Sequence, residues 1–209
     1  FCSFWDIITS KELNVQEMLN MNNNLAFKES DQAILVVDSP AINYSKAEEY
    51  WIKLFSMAKK RIRLSTPYFS ITEALWKQIF IAIKCGVEVE IFFPGLPDKK
   101  IVYNVGIKEL KELEEKGVKI YLYNDHFLHS KFGTIDENIG WMGTNNFDSR
   151  SMFAQYETMD IISGQSVKKL NEIFDNYKRK STLLSSTKLG NVKYGRIKKI
   201  IYKIIKPLI

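Results

Sequence analysis

The chain has 209 residues, of which 45% are hydrophobic and 13% aromatic. These values predict one packed globular α/β domain with extensions and exclude an intrinsically disordered chain. Two cysteines, Cys2 and Cys85, are too few for a disulfide framework and fit a reducing compartment, and no apolar run of 18 residues predicts a membrane-spanning helix. Because residue 1 is Phe, we expect a fragment or a trimmed form of a longer chain, or an incomplete reading frame.

The net charge of +6 is concentrated at the C-terminus. Residues 1–175 carry 20 Lys/Arg and 24 Asp/Glu, whereas residues 176–209 carry ten basic residues and no acidic one. Such a block of like charge is typical of chains that contact a polyanion or a membrane surface. The acidic body argues against a nucleic-acid partner, which would require a basic groove across the domain.

An alternation of strands and helices follows a polar segment, residues 1–30, that we interpret as a linker from a preceding segment. Short apolar runs ended by Pro or Gly predict strands, and amphipathic segments that begin after Ser45 and Thr72 predict capped helices. The predicted strands cover residues 34–40, 61–69, 87–95, 118–124, 129–136, 139–145 and 156–163. The predicted helices cover residues 45–60, 71–86, 100–117 and 165–184.

This alternation predicts the fold class. Strands separated by helices over residues 34–124 favour a mainly parallel sheet with helices on both faces. The two-residue "EN" connection at 137–138 predicts a hairpin, which makes the sheet mixed. We therefore expect an α/β domain over residues 31–186.

The pair His129 and Lys131 is the first candidate for chemistry. Residues i and i+2 of a strand point to the same face, so an imidazole and a cation would lie side by side. This pair suits an anionic substrate, because the lysine neutralises charge while the histidine attacks or transfers a proton. Asp136 stands at odd separation, and we interpret it as an orienting or structural acid.

The segment "GTNN" after the hairpin supplies neutral groups. Gly143 would let a ligand approach the backbone, and Thr144 and Asn146 would donate hydrogen bonds to phosphate oxygens. Glu157, on the next strand, would hydrogen-bond the far nitrogen of His129 and fix its tautomer. Each residue alone has an ordinary structural explanation, and only their joint spacing favours a site.

The spacing His129-x-Lys131, four residues, Asp136, six residues, Gly143-Thr144-x-Asn146 resembles the H-x-K-x4-D-x6-G-S-x-N signature of the phospholipase D superfamily. Thr144 replaces the serine and keeps its hydroxyl. The surrounding segments resemble the second catalytic half of bacterial cardiolipin synthases over roughly residues 34–209. These segments are "TPYF" (66–69), "GVEVEIFFPGLPDKK" (86–100), "GVKIYLY" (117–123), "FLHSK" (127–131) and "GTNNFDSRS" (143–151).

The resemblance implies a reaction that joins two phosphatidylglycerols into cardiolipin and glycerol through a phosphatidyl-histidine intermediate, without a metal or another cofactor. It implies that His129 is the nucleophile or the acid, and that Lys131 and Asn146 hold the phosphoryl oxygens. Asp136 completes the catalytic motif with a less direct role, and Glu157 orients the histidine.

The superfamily site uses two His-x-Lys motifs, and this chain has one. His126 lies outside the motif and at odd separation from His129, so it is a poor substitute. The second histidine would come from a second copy in a symmetric dimer or from an N-terminal half. The alternatives are a homodimeric phospholipase D-type phosphodiesterase or nuclease, and a catalytically incomplete membrane-binding half-enzyme.

The C-terminal residues 187–209 predict an amphipathic helix with a basic polar face that includes Arg196, Lys198, Lys199 and Lys203. A helix of this kind favours an anionic membrane surface. The alternative is a terminal helix that packs on the domain. With a lipid substrate, we expect a peripheral protein on the cytoplasmic face of the cell membrane.

Overall fold

The computed structural model describes residues 2–11, 14, 16–17, 31–41, 44–192, 195 and 202. These divide into two compact units, Phe1–Ser30 and Asp31–Ile209. In the first unit, helix α1 covers Cys2–Thr9, within the segment that the sequence predicts as a linker. Most of the predicted C-terminal helix, including Arg196, Lys198, Lys199 and Lys203, lies outside the described residues.

The second unit alternates strands and helices. The predicted caps of its first two helices are confirmed, because the side chains of Ser45 and Thr72 accept hydrogen bonds from backbone N–H groups. In chain order, the elements are β1 (Asp31–Asp38), α2 (Lys46–Met57), β2 (Arg61–Ser65), β3 (Phe69–Ser70), α3 (Glu73–Lys84), β4 (Glu88–Pro94), α4 (Lys100–Glu114), β5 (Lys119–Tyr123), β6 (Phe132–Ile135), β7 (Ile139–Gly143), β8 (Phe147–Asp148), α5 (Ser149–Ala154), β9 (Glu157–Gly164), α6 (Gln165–Arg179), β10 (Ser181–Leu183) and a 3₁₀ turn (Leu184–Ser186).

An eight-stranded mixed sheet, in the order β1-β9-β7-β6-β2-β4-β5-β10, forms the centre of this unit. The predicted α/β class and mixed sheet are confirmed. The expected dominance of parallel pairs is wrong. Within this sheet β2–β4 and β4–β5 pair in parallel, whereas β1–β9, β7–β9, β6–β7, β2–β6 and β5–β10 are antiparallel. The short strands β3 and β8 form a separate parallel pair. The β6–β7 hairpin inserts beside β2, and β1 joins the sheet next to β9, which adds antiparallel neighbours.

Helices cover both faces of the sheet, as predicted. One core cluster includes side chains of α2, α3 and α4, such as Trp51 and Leu110. The opposite cluster packs α6, through Phe174, on the sheet residues Phe92 and Phe132. The sequence prediction missed two local features: Thr66–Tyr68 separates β2 from β3, and the short helix α5 follows β8.

Buried contacts fix the segment that leads into α5. Trp51 of α2 stacks on Phe147 with ring centroids 4.0 Å apart. Buried Asp38 at the end of β1 accepts hydrogen bonds from Ser45 Oγ at 3.0 Å and from Asn145 Nδ2 at 3.4 Å. The "GTNN" segment is therefore attached to both the edge of the sheet and the start of α2.

Candidate active site

His129 and Lys131 lie in an extended segment just before β6. The carbonyl oxygen of Lys131 accepts a hydrogen bond from the N–H of Gly143 at 3.0 Å, which continues the β6–β7 pairing. Lys131 Nζ lies 3.2 Å from Nδ1 and 3.4 Å from Nε2 of His129, and it donates to the carbonyl oxygen of His129 at 2.8 Å. The two side chains therefore lie side by side, as the sequence predicts.

The pair faces a cleft of about 760 Å³. Five predicted site residues line the cleft, namely His129, Lys131, Gly143, Thr144 and Asn146. Ser130, which lies between His129 and Lys131, lines it too. Glu157 also lines it, and Asp136 does not. The other walls are formed by Tyr68, Lys99, Val102, Asp148, Arg150 and Gln155.

Burial lowers the pKa of both His129 and Lys131. Partial desolvation, followed by the charge of Lys131, lowers the pKa of His129, and Asp98 opposes this shift. Desolvation also lowers the pKa of Lys131, while the carboxylates of Glu157 and Asp148 oppose it. His129 is therefore neutral near pH 7, which is the form that acts as a nucleophile or a general base.

Glu157 interacts with other groups than the predicted one. Among the described residues no hydrogen bond joins it to His129, and its charge acts on Lys131 instead. Desolvation raises the pKa of Glu157, and hydrogen bonds with the hydroxyls of Thr144 and Ser151 partly offset that rise. Glu157 is thus placed to balance the charge of Lys131 in the cleft.

Asn146 is buried in the cleft wall and fits the predicted role as a donor. Its Nδ2 donates to Ser151 Oγ at 2.8 Å, while its Oδ1 has no hydrogen-bond partner in the described structure. The two ends of an amide are assigned from their hydrogen bonds. In this orientation the amide also hydrogen-bonds the carboxylate of Asp148. The expected contact of Asn146 with a phosphoryl oxygen stays a prediction.

Gly143 and Thr144 make close contacts with β9. A Cβ atom at Gly143 would lie 2.1 Å from the carbonyl oxygen of Thr158, so the glycine is required by its contact with β9. The hydroxyl of Thr144 accepts a hydrogen bond from the N–H of Thr158 at 2.9 Å. Both residues also line the cleft, so their expected role toward a ligand stays a prediction, while these contacts hold β7 and the following turn against β9.

Asp136 lies at the far end of β6, roughly 20 Å of extended chain from His129. Its carboxylate accepts hydrogen bonds from the backbone N–H groups of Lys59 at 3.0 Å, Lys60 at 2.8 Å and Arg61 at 2.8 Å. Desolvation would raise its pKa, but these three hydrogen bonds together lower it. This geometry supports the structural interpretation of Asp136, and its place among the catalytic residues stays a prediction.

Three residues at the cleft, Tyr68, Asp98 and Lys99, had no predicted role, although they lie in the segments "TPYF" and "GLPDKK" that carry the family resemblance. Tyr68 OH donates to Asp98 Oδ2 at 2.5 Å, and its ring lies edge-on to the His129 ring with centroids 6.3 Å apart. Burial and the hydrogen bond with Asp98 raise the pKa of Tyr68 to about 12. Lys99 Nζ lies 5.5 Å from the centre of the Tyr68 ring.

His126 lies outside the cleft. It is exposed, and its Nδ1 lies 3.6 Å from the carboxylate of Asp125. In the described part of the chain, no group of three His, Cys, Asp or Glu side chains could hold a metal ion. Among the helices that the structure describes, none is both long and apolar enough to cross a membrane.

Comparison with known proteins identifies the family. The profile described as "Cardiolipin synthase, PLD-like domain" matches residues 51–178. The chain belongs to this family. It is 30% identical over 177 residues to cardiolipin synthase 1 of Staphylococcus aureus (strain COL), which covers 84% of this chain and 36% of that protein. It is 30% identical over 158 residues to the cardiolipin synthase of Alkalihalophilus pseudofirmus, which covers 75% of this chain and 31% of that protein. The chain thus spans about a third of the length of these relatives.

Solved structures confirm the phospholipase D-like fold. The phosphatidylserine synthase of Haemophilus influenzae Rd KW20 superposes with a TM-score of 0.69 at 16% identity, covering 93% of this chain and 53% of that one. The phospholipase D family member Nuc of Salmonella typhimurium superposes with a TM-score of 0.63 at 17% identity, covering 73% of this chain and 97% of that one. At these identities the likeness concerns the fold alone.

Proposed function

We propose that the chain provides one half of a phosphatidyltransferase site that joins two phosphatidylglycerols into cardiolipin and glycerol. The observation that carries this proposal is that His129 and Lys131 lie side by side in a cleft large enough for lipid headgroups. Membership of the cardiolipin synthase family supports the choice of substrate.

In the first step, a ring nitrogen of His129 attacks the phosphorus of one phosphatidylglycerol. The bond to the glycerol oxygen breaks, and a second histidine gives a proton to that oxygen. In the second step, the second histidine takes the proton from a hydroxyl of another phosphatidylglycerol, whose oxygen attacks the phosphorus. The phosphorus–nitrogen bond breaks, so that cardiolipin leaves and His129 is restored. Lys131 and the Asn146 amide balance the charge of the phosphoryl oxygens in both steps.

The second histidine has to come from outside the described cleft. His126 is exposed outside the cleft, and its Nδ1 lies 3.6 Å from the carboxylate of Asp125, so it is not placed to give a proton to the leaving group. A second copy of the chain, or an N-terminal half with its own His-x-Lys motif, would complete the site. This second histidine would act as the acid in the first step and as the base in the second step.

The membrane is the proposed location of this reaction, because both substrates are anionic lipids. The basic residues Arg196, Lys198, Lys199 and Lys203 would hold the chain on the cytoplasmic face of an anionic bilayer, each adding about 1 kcal/mol near the surface. Removal of residues 190–209 should then weaken binding to anionic vesicles, whereas equal co-sedimentation of the shortened chain would remove this part of the proposal.

The experiment that tests the function compares products from phosphatidylglycerol vesicles by mass spectrometry. The native chain and the His126→Ala control should form cardiolipin and glycerol, and His129→Ala should form neither. Phosphatidic acid in place of cardiolipin would identify a hydrolase. No product with intact vesicle binding would identify a half-enzyme that needs a further segment.

The second candidate is a homodimeric phosphodiesterase. It is favoured by the fold likeness to Nuc, 97% of whose length is covered by this chain. A nucleic-acid substrate fits poorly, because residues 1–175 carry more acidic than basic side chains. Hydrolysis of the phosphatidyl-histidine intermediate by water is the form of this candidate that the same mass spectra detect.

A further inference from the structure

Lys99 is a cation in the cleft wall that takes no part in the two proposed steps of the reaction. Resting on the proposed function, we propose that Lys99 binds the phosphate of the acceptor lipid, the second phosphatidylglycerol, while Lys131 serves the phosphate that is transferred. The site would thus have two phosphate positions, one at each lysine.

The two cations of the cleft contact different side chains. Lys99 Nζ stands 5.5 Å from the centre of the Tyr68 ring, and that ring stands 6.3 Å from the His129 ring. Lys131 Nζ contacts His129 directly at 3.2 Å. The distance from Lys99 Nζ to the centre of the His129 ring is therefore at most the sum of the first two distances. Lys99 lies in the cleft wall formed by the segment between β4 and α4.

The charge of Lys99 is available to a ligand. Its neighbour Asp98 directs one carboxylate oxygen to Tyr68 OH and the other to the N–H of Lys99, both at 2.5 Å. Among the described residues, no carboxylate lies within ion-pair distance of Lys99 Nζ. Arg150, which also lines the cleft, differs because its charge acts on Asp148, where it opposes the rise in pKa that desolvation causes.

The position of Lys99 in the chain also fits an anion. It stands at the N-cap of the 15-residue helix α4, without a side-chain cap and without an acidic residue in the first turn. A cation at a helix N-terminus is unfavourable by itself, because the helix dipole is positive there. A bound phosphate would offset this repulsion, and it would add to the attraction that Lys99 provides in the cleft.

The chemistry of the reaction supplies the reason for a second phosphate position. Water or a simple alcohol brings a hydroxyl but no phosphate to the phosphatidyl-histidine intermediate. A phosphatidylglycerol acceptor brings both, so a cation beside the histidine selects it over water. Lys99 would therefore decide between transfer and hydrolysis without taking part in formation of the intermediate.

The test is a competition between acceptors in vesicles of phosphatidylglycerol with added 1-butanol. Lys99→Gln should reduce cardiolipin formation about tenfold or more, the effect of losing one charged hydrogen bond. The combined formation of phosphatidylbutanol and phosphatidic acid should stay the same or rise, because the intermediate still forms while its route to cardiolipin is slowed. Lys100→Gln is the matched control, because it removes the same charge from the adjacent exposed residue, which does not line the cleft.

The outcomes separate this inference from the proposed function. If the native chain transfers phosphatidyl groups and Lys99→Gln leaves the ratio of products unchanged, the inference alone fails. An equal loss of all products in Lys99→Gln also overturns it, because the residue would then serve the first step. Phosphatidyl transfer that persists in His129→Ala contradicts the proposed function itself. If the native chain alone forms no product, the binding measurement that follows tests the inference.

A binding measurement tests the inference without turnover. In the His129→Ala background, calorimetry with dihexanoyl phosphatidylglycerol should give two sites per cleft. Addition of Lys99→Gln should leave one site, whereas addition of Lys100→Gln should leave two. One site in both backgrounds, or two sites in both, would overturn the second phosphate position.

Discussion

Asp136 provides the sharpest test of the site geometry, because it belongs to the motif and lies away from the cleft. In Asp136→Asn the remaining oxygen can keep the hydrogen bonds from Lys60 and Arg61, whose N–H groups both bind Oδ1. The new NH₂ group would face the N–H of Lys59, which now binds Oδ2. Two bonds thus lose their charge assistance and one is lost, which should cost about 2 kcal/mol in the free energy of unfolding at this partly exposed site.

The backbone at Asp136 should tolerate this change. Its φ is 53°, in the left-handed region that Asn adopts more readily than most residues. The loss therefore reports the hydrogen bonds rather than strain. For a domain of this size, about 2 kcal/mol should lower Tm by roughly 4–8 °C. Turnover per folded molecule should stay within about twofold of the native value, because no substrate contact is changed.

The assay combines thermal denaturation with phosphatidyl transfer measured well below Tm. Glu137→Gln is the matched control, since it removes the same charge from the next residue, which is exposed. The sign of the pH dependence is also fixed. Because the pKa of Asp136 is lowered on folding, its contribution is complete above the unfolded pKa and declines as pH falls through the folded one. The difference between native and variant should therefore shrink below about pH 4. A variant with native Tm and lost turnover would refute the reasoning and return Asp136 to the catalytic groups.

Three further predictions concern the cleft. The acid limb of the kcat/KM profile should have an apparent pKa below 6.5, the ordinary value for His129, because burial and Lys131 lower it; a limb above that value would contradict a neutral nucleophile. Glu157→Gln should lower the pKa of Lys131, measured by NMR titration of the labelled lysine side chains, since the Glu157 charge supports protonation of Lys131; an unchanged Lys131 pKa with a shifted His129 pKa would instead support contact with His129. Gly143→Ala should lower the free energy of unfolding by about 1–3 kcal/mol in denaturant titrations, because its Cβ would meet the Thr158 carbonyl; native stability with weakened lipid binding would restore the ligand-approach interpretation.

Local patterns in the sequence predicted the local structure well. Ser45 and Thr72 cap the helices that follow them, because a cap is a contact between residues three apart. The side-by-side placement of His129 and Lys131 was likewise predictable, since it depends only on alternation in an extended chain. The pair stands before β6 rather than on it, which leaves this alternation unchanged.

The neighbours of each strand were not predictable in this way. Alternation of helices and strands favours parallel pairs, and β2–β4–β5 obey that rule. The pairing of β1 with β9 joins residues more than a hundred positions apart, and no periodic pattern encodes it. The position of Lys99 beside Tyr68 has the same origin, because the two residues come from separate loops. Contacts between distant segments thus account for the incorrect sheet prediction and for the part of the site that was missed.

The contacts of the motif residues also explain why one sequence motif includes residues that face the cleft and residues that hold the backbone in place. Asp136 binds the start of β2 at one end of β6, and Gly143 packs on β9 beside the other end. These two contacts hold the β6–β7 hairpin in register between its neighbours. A shift of one residue would turn Lys131 and His129 to the opposite face. The aspartate and the glycine therefore act on the chemistry through the hairpin that presents the histidine and the lysine to the cleft.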